Sequence, residues 1–149
     1  LKLSPPLRLE EDRISLVQGI KENLIDVIVS DHTPEDEESK RLPFSQAATG
    51  AIGIETLLPL ALEMHHNESL PLNKIIETLT INPANILQIN KGTLAKGSDG
   101  DICVLDLDAP WLVKAEKLKS KSKNTAIEGR KLQGKILMTF LNGELMFNQ

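Results

Sequence analysis

The stretch Leu24-Ile25-Asp26-Val27-Ile28-Val29-Ser30, followed by Asp31-His32-Thr33-Pro34, decides how this sequence folds. Its first seven residues are mostly aliphatic and β-branched, which is typical of a strand buried on both faces of a parallel sheet. The polar residues and the proline that follow predict that the chain leaves the sheet into a polar loop. Asp31 is therefore expected at the carboxyl end of a buried strand, where α/β barrels assemble their sites.

Helices are predicted on both sides of this strand. Apolar residues recur with helical spacing over Glu10–Asn23, Ile54–His66 and Leu72–Thr80. Asn82-Pro83 predicts a further short helix, with Asn82 as its N-cap and Pro83 at its first position. Strands alternating with helices indicate the α/β class.

The sequence becomes β-rich after residue 90. Strands are predicted over Asp101–Asp106 and Trp111–Val113, and a hairpin over Gly134–Leu141 and Glu144–Phe147, turning at Asn142-Gly143. We therefore expect two parts, residues 1–90 and residues 91–149.

Composition excludes several classes of protein. The chain has 149 residues and a formal net charge of −4, with 40% hydrophobic and 3% aromatic residues. No stretch reaches the roughly 20 apolar residues of a membrane-spanning helix. Few aromatic residues and an acidic balance argue against a nucleic-acid partner. Cys103, the single cysteine, cannot form an internal disulfide, which fits the cytoplasm.

Asp31 is the strongest candidate for chemistry, since a carboxylate there can bind a metal and accept a proton from water. An aspartate that only starts a turn fits the same spacing. His32 is expected to be structural, because neighbouring side chains on an extended chain point in opposite directions. His65-His66 lacks the i, i+4 spacing of a metal site and is expected to interact with a helix C-terminus. Cys103 is expected in the core.

A second group of candidates is basic. The lysines between residues 114 and 123 carry no interleaved aromatic residues, so we interpret them as a solvated face; they are Lys114, Lys117, Lys119, Lys121 and Lys123.

Six stretches in order resemble the dihydroorotase family of the amidohydrolase superfamily. Residues 2–13 resemble its "K-x-N-PPLR-x-EEDR" segment, residues 25–34 its strand ending in "DHAPH", and residues 50–59 its "FGIVGLETALP" segment. The others are Asn82-Pro83-Ala84, then Gly92–Gly97 with Asp101-Ile102, and Ser120–Thr125, which resembles "SKSKNTPF".

The resemblance implies the C-terminal portion of a (β/α)₈ (TIM-type) metal-dependent hydrolase barrel, over residues 1–90. Residues 91–149 would form part of a small flanking β-sandwich. The implied reaction is the reversible hydrolysis of L-dihydroorotate to N-carbamoyl-L-aspartate in pyrimidine biosynthesis, with one or two zinc ions. Asp31 is then both a metal contact and the catalytic general base.

The resemblance also implies substrate contacts, at positions where this chain departs from the family. Ser4 stands where the family commonly has Asn, Glu35 where it has His, and Thr49 where it has Phe, whereas Gly50 is retained. Glu35 would repel a dicarboxylate that an imidazole would attract. The family's other metal ligands precede the segment seen here, so most zinc ligands are expected outside this chain.

The expected partners are a small-molecule substrate and the N-terminal half of the same enzyme. A homodimer and aspartate transcarbamoylase are further possible partners. Two alternatives stay open: a hydantoinase or allantoinase, and a non-catalytic subunit that scaffolds aspartate transcarbamoylase. The isolated chain is expected to be inactive in each case.

Overall fold

The helices come first along the chain and the strands follow. The computed structural model describes residues 2–67 and 69–149. Its helices are α1 (Glu10–Lys21), α2 (Glu37–Arg41), α3 (Leu57–His66), α4 (Leu72–Leu79) and α5 (Ile81–Ile86), and its strands are β1 (Ile102–Leu112), β2 (Lys131–Leu141) and β3 (Glu144–Asn148). A 3₁₀ turn covers Ala115–Lys117. This content confirms the α/β class, and the division near residue 90 remains a prediction.

Helix α2 forms where a polar loop was predicted. Asp36 caps it, because its carboxylate accepts a hydrogen bond of 2.7 Å from the Ser39 N–H. Glu37 lies in the first turn and Lys40 in the last, so both charges favour the helix dipole. The prediction missed this helix because its five residues bury no apolar stripe.

The other helices were predicted to within three residues, but the cap of α5 was wrong. Thr80, not Asn82, precedes the helix, and Asn82 lies inside it. The Asn82 side-chain amide donates to the Asp26 carbonyl, 2.9 Å away. Asn82 therefore ties α5 to the segment 24–30 instead of closing the helix end.

The segment 24–30 forms neither a helix nor a strand, contrary to the prediction. Within the described ranges it pairs with no sheet; the Ile28 N–H donates to the Thr78 carbonyl at 3.2 Å. Leu24 and Val29 are 74% and 71% exposed, whereas Ile25 and Ile28 pack on a core. A parallel strand buried on both faces needs neighbours on each side, and the described sheet lies elsewhere.

Strands β1, β2 and β3 form an antiparallel sheet in that order. The two strands predicted between residues 101 and 113 are one strand, interrupted by a register shift between Asp106 and Pro110. The Asp106 carboxylate accepts from the backbone N–H groups of Asp108 and Ala109 across this irregularity, at 3.0 Å each. The hairpin turn is confirmed, with φ of 52° at Asn142 and 81° at Gly143.

Cys103 lies in β1, and Asp101 directly precedes this strand. Cys103 is exposed, so its expected place in the core is wrong; the described residues leave this end of β1 uncovered. Asp101 accepts hydrogen bonds from the Asn142 N–H and the Lys91 ammonium group, which together hold the pKa of its carboxyl group below the usual value.

Two apolar clusters position the loops between them. The first contains Ile20, Ala61, Leu70 and Ile75, with Ile25 and Ile28 packed against it. The second contains Ile52, Val113, Leu118 and Leu132. Segments 25–28 and 49–54 are therefore each held by a separate cluster, and the space between them is the pocket described below. Within residues 2–67 and 69–149, no helix is both long and apolar enough to cross a membrane.

We expect the chain expressed alone to aggregate or to unfold without a single cooperative transition. The reason is its exposed apolar surface, which includes Leu24, Val29, Leu94 and Met146. Segment 24–30 also lacks sheet partners within the described residues. Size-exclusion chromatography and thermal unfolding would test this. A monomer with one sharp transition would contradict the expectation.

Candidate active site

A pocket of about 680 Å³ lies at the end of segment 24–30. Four of the five residues expected to form the site line it: Ser4, Asp31, Thr49 and Gly50. Its remaining lining is mostly apolar, including Ile28, Ile52, Leu57, Leu60, Met64 and Ile127. A few polar groups converging in an apolar pocket are what a small-molecule site requires.

Asp31 adopts a backbone conformation that is uncommon for a residue with a side chain. Its φ is 44°, in the left-handed region, and the Thr33 hydroxyl donates to its carbonyl at 3.0 Å. Asp31 is exposed and is one of the residues that line the pocket. Such uncommon backbone conformations persist only where the surrounding structure holds them, and they are found most often at functional sites.

His32 does not line this pocket; its imidazole contacts the backbone just before α3. Its Nδ1 accepts hydrogen bonds from the Gly53 N–H at 3.1 Å and the Ile54 N–H at 3.3 Å. This confirms the structural role expected for His32. The contact fixes the entry into α3 next to the pocket.

Gly50 is held from three directions. Its N–H donates to the Lys2 carbonyl at 3.0 Å, and its own carbonyl accepts from Lys40 Nζ at 2.8 Å and Asn124 Nδ2 at 3.2 Å. Its φ is 140°, and a Cβ added there would lie 2.7 Å from both Cγ2 and the carbonyl oxygen of Thr33. Both backbone polar groups are therefore engaged within the chain, and a substrate contact by Gly50 stays a prediction.

Glu35 does not line the pocket. Its N–H donates to Asn124 Oδ1 at 3.4 Å, and its carbonyl accepts from the Ser122 hydroxyl. These contacts use the backbone of Glu35. The substrate contact expected of its side chain remains a prediction.

The loop between residues 115 and 125 contacts the segment 50–55 next to the pocket, and local sequence patterns did not predict these contacts. The Glu55 carboxylate accepts from the N–H groups of Lys119 and Ser120, at 2.8–3.1 Å. Ile52 bridges to Thr125, and the Ile52 N–H donates to the Asn124 carbonyl at 3.2 Å. The only sequence signals were the motifs containing Glu55 and Asn124, whose partners lie more than 60 residues away.

The described residues offer an incomplete donor set for a metal ion. Across residues 2–67 and 69–149, no three His, Cys, Asp or Glu side chains come together as metal ligands. His65 and His66 lie in the last turn of α3, away from the pocket lining. Zinc takes three or four protein ligands. A metal ion bound by the Asp31 carboxylate would therefore need further ligands from outside the described residues.

The fold and the site define a class of protein: an α/β chain in which an exposed aspartate follows the segment 24–30 and lines a mostly apolar pocket. Residues 3–146 match the Amidohydrolase family, and the chain belongs to that family. This confirms the resemblance at the level of the superfamily.

Curated relatives narrow the comparison. The chain is 43% identical over 146 residues to a protein of Ehrlichia chaffeensis named dihydroorotase, and 40% identical over 146 residues to one of Aquifex aeolicus with the same name. Each match covers 98% of this chain, but 33% and 34% of the relative. The chain therefore spans about a third of the length of the curated relatives it matches.

Solved structures show the same fold. An L-hydantoinase (dihydropyrimidinase) from Arthrobacter aurescens has a TM-score of 0.91 and 33% identity, covering 99% of this chain and 34% of that one. A dihydropyrimidinase from Brevibacillus agri NCHU1002 has a TM-score of 0.93 at 23% identity, covering 99% of this chain and 33% of that one. The second likeness concerns the fold alone.

Proposed function

We propose that this chain is the part of a dihydroorotase that carries its general base. The proposed reaction is the reversible hydrolysis of L-dihydroorotate to N-carbamoyl-L-aspartate, a step of pyrimidine biosynthesis in the cytoplasm. The observation that carries the proposal is the exposed Asp31, which lines the pocket with a φ of 44°. The dihydroorotases of similar sequence support the choice of substrate.

The activity belongs to a longer polypeptide. Since the relatives are about three times as long, we define the assembled enzyme as this chain together with the remaining polypeptide that those relatives possess. Zinc, when bound, would activate the attacking water for hydrolysis. Asp31 would contribute one of its ligands, and the remaining polypeptide the others.

Asp31 moves the proton in the proposed reaction. In the hydrolytic direction its carboxylate accepts a proton from the attacking water as the new C–O bond forms. The protonated carboxyl group then gives this proton to the amide nitrogen as the C–N bond of the ring breaks. Asp31 therefore ends the reaction as it began, ionised and ready for another turnover.

Ser4 and Thr49 are the polar groups that would orient the substrate. Both line the pocket, and each hydroxyl can donate and accept a hydrogen bond. Glu35 does not line it, so its carboxylate need not face an anionic substrate. The change from histidine to Glu35 is thereby compatible with a dicarboxylate product.

A hydantoinase is the second candidate, because the L-hydantoinase structure is 33% identical and has the same fold. Both reactions open a cyclic amide with water, so Asp31 would serve either. The higher identity to the dihydroorotases, 43% against 33%, favours the first.

The test is hydrolysis by the purified, zinc-loaded assembled enzyme. We expect turnover of L-dihydroorotate, with a kcat/KM at least about tenfold above that for a 5-substituted hydantoin, a difference of about 1.4 kcal/mol. The reverse preference would establish the hydantoinase instead. Failure to turn over any cyclic amide, combined with binding to aspartate transcarbamoylase, would establish the non-catalytic scaffold.

A further inference from the structure

We propose that Lys40 is a positioning residue of this site, whose ammonium group fixes the pocket wall that presents Ser4 and Thr49. The inference deepens the proposed function and rests on it for the identity of the substrate. Its structural basis is independent of that substrate.

The Lys40 ammonium group is surrounded by backbone carbonyls. Nζ donates to the carbonyl of Ala48 at 2.8 Å, to that of Gly50 at 2.8 Å and to that of Lys2 at 3.2 Å. A lysine ammonium group has three N–H donors and cannot accept a hydrogen bond, so these three hydrogen bonds occupy all of its donors. Hydrogen bonds from a charged donor are stronger than those between neutral groups.

These three carbonyls belong to the two segments that supply the polar lining. Ala48 and Gly50 flank Thr49, and the carbonyls of both residues accept hydrogen bonds from the same ammonium group. Lys2 lies two residues before Ser4, and its carbonyl also accepts from the Gly50 N–H. Lys40 therefore connects the segment that contains Ser4 to the segment that contains Thr49.

Helix α2 explains why Lys40, and not its neighbour, does this. Lys40 is half-buried in the last turn of α2, whereas Arg41 is exposed and pairs with Glu37 on the helix surface. Asp36 sets the start of the helix through its cap. Helix α2 fixes the backbone of Lys40 at a position from which its side chain reaches the three carbonyls.

The test compares Lys40→Met, Lys40→Gln and Lys40→Arg in the assembled enzyme, with exposed Lys96→Met as the matched control. If Lys40 positions the substrate contacts, Met and Gln raise KM for L-dihydroorotate by about tenfold and change kcat less than about threefold. Arginine keeps the charge and the donors, so its KM stays within about threefold of the parent. Lys96→Met leaves both constants unchanged. If the Lys40→Met variant does not fold, the KM and kcat of Lys40→Gln decide the test.

A lysine that only stabilises the fold would lower the active fraction at unchanged KM, and that result would overturn the proposal. Hydrogen exchange of the 45–52 backbone gives a second readout that needs no substrate. We expect the Gly50 N–H to exchange at least about tenfold faster in Lys40→Gln and at the parent rate in Lys96→Met. If the parent proves inactive on dihydroorotate, the proposed function fails, and hydrogen exchange alone decides on Lys40; unchanged exchange would refute it.

Discussion

Replacing Asp31 by asparagine in the assembled enzyme is expected to lower kcat for L-dihydroorotate by about 10²–10⁴-fold or more, the usual contribution of a general acid–base group. Asparagine has nearly the same size and also tolerates φ of 44°. It lacks the basic oxygen that takes the proton from water. The loss should therefore fall on turnover, with little change in stability.

Two measurements separate this effect from a loss of metal or of fold. Zinc content per molecule should stay close to that of the parent, because the amide oxygen can still contact the ion. Asp108→Asn is the matched control: it makes the same chemical change at a side chain that is 87% exposed and does not line the pocket. If Asp31→Asn kept turnover within a few-fold of the parent, Asp31 would not be the base.

Replacing Gly50 by alanine should give the largest loss of stability of any substitution at the site. The new Cβ would lie 2.7 Å from the Thr33 carbonyl oxygen, which is backbone and cannot rotate away. The φ of 140° is also unfavourable for any residue with a side chain. Strain and overpacking each contribute about 1–3 kcal/mol, so we expect a destabilisation of at least about 2 kcal/mol.

Gly97→Ala isolates the steric part of that effect. Gly97 also has a positive φ, 92°, but no atom lies within 4 Å of the added Cβ. Its alanine variant should therefore show backbone strain without overpacking, and be destabilised less than Gly50→Ala by about 1–3 kcal/mol. Urea unfolding of the two assembled variants measures the difference. Equal midpoints would mean that Thr33 moves aside and that Gly50 is not tightly enclosed.

Local signals in the sequence were enough for most regular elements. Helices α1, α3 and α4 and the turn at Asn142-Gly143 are encoded by residues at most a few positions apart. They could therefore be predicted from the sequence without knowledge of the fold. Asp31 was also identified from its position after an apolar run. The ordered motifs led to the amidohydrolase family, which the match over residues 3–146 confirms.

Other features depended on contacts that no local pattern contains. Whether segment 24–30 becomes a strand depends on neighbours that the described residues do not provide. Cys103 was expected in the core because its neighbours are apolar, yet nothing in the described fold covers it. Burial is a property of the packed structure, and alternating or apolar sequence indicates only which residues are able to be buried.

The sequence by itself therefore determined the family, the main helices, the hairpin and the aspartate at the head of the pocket. Tertiary structure alone decided that Ser4, Asp31 and Thr49 meet at one pocket, that Glu35 stays outside it, and that Lys40 holds its wall. The physical reason is distance along the chain. The Lys40 and Lys2 contact joins residues 38 apart, and the Asn124 and Gly50 contact joins residues 74 apart, so these hydrogen bonds form only when the packed clusters bring the segments together.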